Sequence, residues 1–400
     1  MNLHKETRPE DAPPLRFAVV GCGMLAQSQH LPNLVRSRQA ALHTCCDLSP
    51  EILAHCRQAF HPAKVSADYH QAIADPEIEA VCIATTEKFR LPVIEAAAAA
   101  GKPVYCEKPV ARTLAELYAI QRLVRAAGIP FCAGHNRRSA PALLDARKIF
   151  RAHMEQPRPC PWRFDREGAA RPPRADDGTA AMAVRVNDDW YSWKAWVFDA
   201  AQAPHGPMLF EMTHFTDICN WFLAAEPEEV TALEQGPLAS GIVVRYQTGE
   251  LATLMMTGNG TFGYPKELYE LFGRGGAVII DHLLEVRTAG LADVPARMVY
   301  PLLNDRHPDV GAEGGLAGWL AKKQAACQDA VERGDPMLSF AAEPDKGHAR
   351  ALDRFVDEIR GRGPQVCGID EAVAATEVAF AAIRSAQEKR AVRIEELRPR

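Results

Sequence analysis

The chain has 400 residues, 47% of them hydrophobic and 24% charged, so it can bury a large core over about two domains without disulfide or metal staples. Its 46 basic and 51 acidic side chains give a formal charge of −5, and mild acidity without a basic stripe argues against nucleic acid or anionic lipid as the main partner. No window approaches the roughly 18 apolar residues of a membrane helix. The polar start MNLHKETRPEDAPP lacks a secretory apolar run, so residues 1–14 read as a solvated tail of a cytoplasmic protein.

Residues 15–135 alternate strand and helix patterns. LRFAVV (15–20) is an apolar run ending at Gly21, followed by a helical stretch near 24–37, and ALHTCC (41–46) reads as the second strand. Ser49, Pro50 and Glu51 supply an N-cap, a first-turn proline and a first-turn acid for a helix to Phe60. EAVCIAT (79–85) is a third strand, and LPVIEAAAAA (91–100) a helix stopped by Gly101. KPVYCE (102–107) and IPFCAG (129–134) are further strands, separated by a helix that Thr113 and Glu116 open as a T-x-x-E box. Strands spaced by helices of ten to fifteen residues imply a doubly wound parallel sheet.

The character changes after residue 135. Residues 155–182 are rich in Pro, Arg and Gly and are expected to be irregular. MLFEMTHFTDICNWFL (208–223) reads as a helix, and 241–257 as a hairpin turning at Thr248-Gly249. ELYELFG and AVIID continue the strands, with helices expected at 314–334, 346–360 and 370–387. Short links between these strands predict a largely antiparallel sheet, so 136–400 is taken as one α/β domain. The eleven cysteines are single or adjacent, with no C-x-x-C spacing; they read as buried thiols, and no metal is expected.

Gly21-Cys22-Gly23-Met24-Leu25-Ala26 is G-x-G-x-x-A directly after the first strand and before a helix. The first glycine suits the tight turn, the second lets backbone approach a pyrophosphate, and the small third residue lets helix and strand pack closely. Asp47 ends the second strand, where an acid would hold ribose hydroxyls, and no Arg or Lys stands beside it to meet a 2′-phosphate; NAD is therefore expected over NADP. Glu107-Lys108-Pro109 follows another strand at the edge where ligands gather in open α/β sheets, and the Lys108 ammonium could stabilise charge developing on a substrate oxygen. By motif alone, a surface Glu-Lys pair is the better reading.

GCGMLAQ, AVCIATTEKFR and CEKPVA, in this order and spacing, resemble the glucose-fructose oxidoreductase/inositol dehydrogenase (Gfo/Idh/MocA) family. Glu211, His214 and Asp217 are similar to its H-x-x-D element, and the resemblance extends to 264–281 and to DKGH at 345–348. It implies a nucleotide-binding Rossmann domain, a second α/β domain with an open sheet that often mediates oligomers, and NAD(P)-linked chemistry on sugars or cyclitols. Lys108 and His214 are implied as the central catalytic pair, with Thr85, Thr86 and Glu107 near the cofactor. Two departures stand out. Thr85-Thr86-Glu87-Lys88-Phe89-Arg90 replaces the family's T-P-x-x-x-H, putting Arg90 in place of a histidine near the nicotinamide. The acid of D-x-x-x-H is replaced by Phe210, and Glu211, three residues before His214, could supply a carboxylate on the same helix face.

Arg90, Asn136 and Arg138 are therefore candidates for gripping a polar or anionic substrate group, although a solvated interdomain arginine is an equal alternative for Arg138. Trp193 and Lys194, in the run Asp189–Trp196, are candidates for stacking on a sugar ring, with buried packing equally consistent. The expected function is hydride transfer between a sugar or cyclitol carbinol and NAD, with His214 taking the hydroxyl proton, aided by Glu211 or Asp217, in a homo-oligomer. The alternative is a redox-neutral glycosidase working by transient oxidation, elimination and water addition. A non-catalytic dinucleotide sensor ranks third.

Overall fold

The computed structural model describes residues 12–155, 179–188, 205–234, 239–261, 263–303, 314–334 and 343–399. It divides into two compact units, 1–136 with 348–373, and 137–347 with 374–400.

The first unit opens with β1 (Leu15–Val20), whose residues alternate between two apolar layers: Ala18 and Val20 face one, Phe17 and Val19 the other. A π-helical turn, Ala26–His30, precedes α1 (Leu31–Arg36), and β2 (Ala40–Cys46) leads to α2 (Pro50–Phe60). Ser49 caps α2, its hydroxyl accepting from Ile52 N at 3.2 Å. Next come β3 (Lys64–Ser66), α3 (Tyr69–Ala74), β4 (Ala80–Ile83), α4 (Arg90–Ala99), β5 (Val104–Cys106), α5 (Leu114–Ala127) and β6 (Phe131–Ala133). Thr113 Oγ1 accepts from Glu116 N at 3.2 Å at the start of α5, and Gly128 ends that helix at φ +62°. The six strands pair in parallel in the order β3-β2-β1-β4-β5-β6. This is the doubly wound order whose direction reverses between β1 and β4, the position at which such sheets bind ligands.

The second unit holds α6 (Pro141–Glu155), β7 (Ala181–Asn187), α7 (Gly206–Leu223), β8 (Pro227–Glu234), β9 (Ala239–Tyr246) and β10 (Leu251–Thr257). It continues with β11 (Glu267–Gly273), β12 (Gly276–Asp281), β13 (Glu285–Ala289), β14 (Arg297–Val299), β15 (Leu302–Leu303), α8 (Gly315–Glu332) and β16 (Glu343–Pro344). Then α9 (His348–Ile359) and the start of α10 (Ile369–Glu388) belong to the first unit, and β17 (Val392–Arg393) to the second. The nine-stranded sheet runs β14-β13-β12-β11-β7-β10-β9-β8-β17, antiparallel apart from the β7–β10 pair. The hairpin β9–β10 turns at Thr248-Gly249, with Gly249 at φ +96°. Helix α6 fits against the β11–β12 turn because Gly273 and Gly276 have no side chain: a Cβ there would stand 2.5 Å from Met154 Sδ and 2.6 Å from His153 Nε2.

The single domain expected over 136–400 needs correction. Residues 348–373 return to the first unit because α9 carries Leu352, Phe355 and Val356 into the same apolar layer as Phe17 and Val19, while Ile369 and Val373 enter the opposite layer. Strand β7 also begins inside the stretch expected to be irregular. The tail to residue 11 and most of 155–182 lie outside the described residues.

Candidate active site

In the first unit the glycine turn is built by close approach. Gly21 has φ +86°, and a Cβ there would stand 2.6 Å from Thr85 N, so only glycine lets β1 and β4 end so close together. A Cβ on Gly23 would meet nothing within 4 Å, leaving open space over the turn. Asp47 is fixed through both carboxylate oxygens: Cys22 N donates to Oδ2 at 2.8 Å and Ser49 N to Oδ1 at 2.9 Å. Gly21, Gly23, Asp47, Thr85 and Thr86 line a cavity of about 400 Å³, and Thr85 Oγ1 on its wall is a buried polar atom with no hydrogen-bond partner among the described residues. Met24 and Leu25 begin the helical run beyond it and are exposed. A glycine cradle, an acid held at the end of β2 and an unsatisfied hydroxyl are a lining that fits a dinucleotide.

The Glu107-Lys108-Pro109 turn follows β5, two strands from β1 on the same sheet edge. Glu107 is buried; its Oε2 accepts from Lys108 N at 3.1 Å, and its Oε1 lies 2.9 Å from His30 Nε2 at the end of the π-helical turn. Burial alone would raise the Glu107 carboxyl, but the His30 contact and charge, with Lys108 and His348, outweigh it and hold it at about 2. Burial likewise opposes the His30 imidazolium, but Cys82 and Glu107 overcome that, and its pKa lies above the usual histidine value. Gly134 makes room for this acid, since a Cβ there would stand 2.9 Å from Glu107 Oε1. The turn is braced from within, and Glu107 is a structural anion rather than a solvated partner of Lys108.

Arg90 is only 4% exposed, and its guanidinium donates to the Thr85 carbonyl from Nε at 3.2 Å and from Nη2 at 3.0 Å, and to the Pro109 carbonyl from Nη1. The expectation that Arg90 grips substrate is corrected: backbone carbonyls occupy the fork.

In the second unit, α7 presents Glu211, His214 and Asp217 at helical spacing, all buried. Two of the three are held by cations. Arg138 donates from Nε to Asp217 Oδ2 at 2.8 Å and from Nη2 to Oδ1 at 2.7 Å. Glu211 Oε1 receives Lys266 Nζ at 2.7 Å and faces Arg137 Nη2 at 3.5 Å. Arg138, expected as a substrate anchor, and Asp217, expected to aid proton transfer, are partners of each other, and Glu211 belongs to a buried ionic cluster. His214 is the stripe's residue whose ordinary pKa lies near neutrality.

That cluster was missed in the sequence. Arg137 Nε donates to both Glu267 oxygens at 3.0 Å, Tyr269 OH donates to Glu267 Oε2 at 2.6 Å, and Lys266 Nζ also lies 2.7 Å from Asp188 Oδ2. Burial would raise Glu267, but Arg137 and Lys266 hold it at about 2; burial would lower Lys266, but Glu211 and Asp188 raise it. The only available signal was strand alternation, which puts Glu267 on the inward face with Tyr269 and Leu271.

Asn136 is buried in the first unit, while Trp193 and Lys194 lie outside the described residues. The described cysteines are free thiols, all buried except Cys327. Chain folding brings Cys22, Cys45 and Cys56 within 4.8 Å of one another beneath the glycine turn, a grouping that spacing did not reveal. Among the described residues no helix is long and apolar enough to cross a membrane.

Residues 15–135 match the family model for the Gfo/Idh/MocA oxidoreductases, described as an oxidoreductase family with an NAD-binding Rossmann fold. Across 96% of this chain and 99% of that protein, the sequence is 23% identical to myo-inositol 2-dehydrogenase of Thermotoga maritima. Levoglucosan dehydrogenase of Pseudarthrobacter phenanthrenivorans is 35% identical over 104 residues, 26% of this chain and 27% of that protein. A levoglucosan dehydrogenase structure in complex with NADH superposes with a TM-score of 0.72 at 18% identity, covering 95% of this chain and 99% of that one. At that identity the likeness concerns the fold.

Proposed function

We propose that this chain, whose residues 15–135 match the Gfo/Idh/MocA oxidoreductase family model and which aligns over 96% of its length with a myo-inositol 2-dehydrogenase, transfers hydride between a secondary carbinol of a sugar or cyclitol and NAD. The observation that carries this reading is the sheet edge of the first unit. There the glycine cradle with its fixed Asp47 and the braced Lys108 turn share one row of strand ends. Bound there, the nicotinamide would supply the hydride acceptor.

The chain's own residues have separate tasks. Asp47 accepts the ribose hydroxyls, and its charge disfavours a 2′-phosphate. Lys108 donates to the carbinol oxygen and stabilises charge as it develops, an interaction typically worth about 10²–10³-fold in rate when one such donor is removed. His214 takes the hydroxyl proton. The names of relatives, myo-inositol 2-dehydrogenase and levoglucosan dehydrogenase, support a polyol or anhydrosugar as substrate class. The test is to follow NADH absorbance with myo-inositol, scyllo-inositol and levoglucosan, with Lys108→Ala as control; a rate that survives Lys108→Ala removes Lys108 from the chemistry.

A second copy of this chain is the proposed occupant of the outer face of the nine-stranded sheet. Strand register aligns Leu233, Gly241, Met255, Arg185 and Leu268 across it, and Leu233 is 75% and Met255 53% exposed. Sedimentation of wild type against Met255→Glu measures it; a monomeric wild type rejects it.

A further inference from the structure

Arg90 begins α4 with its cation turned beneath the strand ends. Its fork joins two loops: the Thr85 carbonyl belongs to the segment after β4 that lines the dinucleotide cavity, and the Pro109 carbonyl to the turn that carries Lys108. Glu87, also buried, lies 3.6 Å from Nη2 and offsets the cost of burying the charge. Thr85 in turn is pressed against Gly21. Contact therefore runs from the glycine turn through Thr85 and Arg90 to the Lys108 turn. On the other flank, His30 and Glu107 tie the same turn to the helical run that follows the glycines. The planar fork matters, because a lysine offers one point charge and cannot address two carbonyls in fixed directions.

We propose that Arg90 is a positioning residue: it sets the Lys108 turn against the dinucleotide cavity and acts on turnover only through Lys108. This rests on the role given to Lys108 above, and the experiment separates the two. The first measurement needs no activity. Amide hydrogen exchange of the cofactor-free protein is compared between wild type, Arg90→Gln and Arg90→Lys. Faster exchange confined to 84–89 and 106–111 is expected in both variants; unchanged exchange there, or failure of both variants to fold, overturns the proposal.

The second measurement is a kinetic cycle with Lys108→Ala, using NAD and whichever of the three test polyols is turned over. A displacement of about 1 Å can cost about 10²-fold in rate, so Arg90→Gln is expected to lower kcat on that scale with little change in KM or in the dissociation constant for NAD. In the double variant Arg90→Gln should add almost nothing to Lys108→Ala. Additive losses, or a loss confined to NAD affinity, overturn the positioning role. If Lys108→Ala itself turns over normally while the exchange result holds, the assignment of Lys108 fails and the brace stands as a purely conformational one.

Discussion

Arg138 holds Asp217 through two parallel hydrogen bonds of 2.8 and 2.7 Å, with the side chains 2% and 0% exposed. A carboxylate shut from water survives as an anion when its partner's geometry is good, and removing either partner strands a buried charge. Arg138→Met and Asp217→Leu should each lose about 3–5 kcal/mol of stability. Arg138→Met combined with Asp217→Leu should lose much less than the sum, because no unpaired charge remains. Urea unfolding of the four proteins measures the cycle; additive losses would mean the two groups do not depend on one another.

Asp47 gives the second prediction. Its oxygens are fixed by Cys22 N and Ser49 N, and Leu48 beside it is 78% exposed and carries no charge. A fixed anion there should make NAD bind more tightly than NADP. Asp47→Asn keeps an acceptor and loses the charge, so the ratio should fall by about tenfold, the equivalent of 1.4 kcal/mol. Calorimetric titration of both cofactors against both proteins checks it. Equal affinity of the wild type for the two would remove Asp47 from cofactor choice.

The His30–Glu107 pair predicts a pH dependence. Glu107 falls from 4.5 to about 2 on folding, so its contribution is complete above about pH 4.5 and is lost as pH falls towards 2. His30 is raised above 6.5, so its contribution is complete below about pH 6.5 and is lost as pH rises through its higher folded value. The pair therefore stabilises most between these limits. Glu107→Gln should flatten the acid limb between pH 4.5 and 2 while leaving an acceptor for Lys108 N. Unfolding free energies across that range, wild type minus variant, should shrink on acidification; a constant difference would contradict the assignment.

The first unit was legible because its signals are local. Apolar runs set β1, β2, β4, β5 and β6, Ser49 and Thr113 cap helices, and the glycine turn sits where β1 ends. Strand β3 escaped because Lys64–Ser66 has three residues, none of them fully buried. The second unit's charges were visible as residue types, but their use was not. Asp217 lies 79 residues beyond Arg138 and Glu267 lies 130 beyond Arg137. Helical spacing correctly grouped Glu211, His214 and Asp217 on α7, yet could not say which cations α7 would meet. Arg90 shows the same limit. A missing histidine suggested a new ligand contact, whereas the arginine was recruited by carbonyls of its own unit.

The last prediction separates net oxidation from redox-neutral cleavage. A dehydrogenase releases reduced cofactor once per turnover, so NADH should accumulate in step with oxidised product from myo-inositol or levoglucosan. A glycosidase working by transient oxidation returns the hydride, so cleavage would proceed with catalytic NAD and no net absorbance change. It must also break the C–H bond beside the oxidised carbon, which would bring solvent deuterium into the product. That second path needs a further group able to remove a carbon-bound proton. In the second unit Asp217 is clamped through both oxygens by Arg138, and Glu211 Oε1 is shared between Lys266 and Arg137, so using either carboxylate as that base would disturb a buried ionic contact. Within the described α7 stripe, His214 is the group proposed above for the single proton transfer of a dehydrogenase. Stoichiometric NADH with unlabelled product is the expected result; glycosidic cleavage of an aryl glycoside in deuterium oxide, with label at the adjacent carbon and no NADH, would reverse the reading.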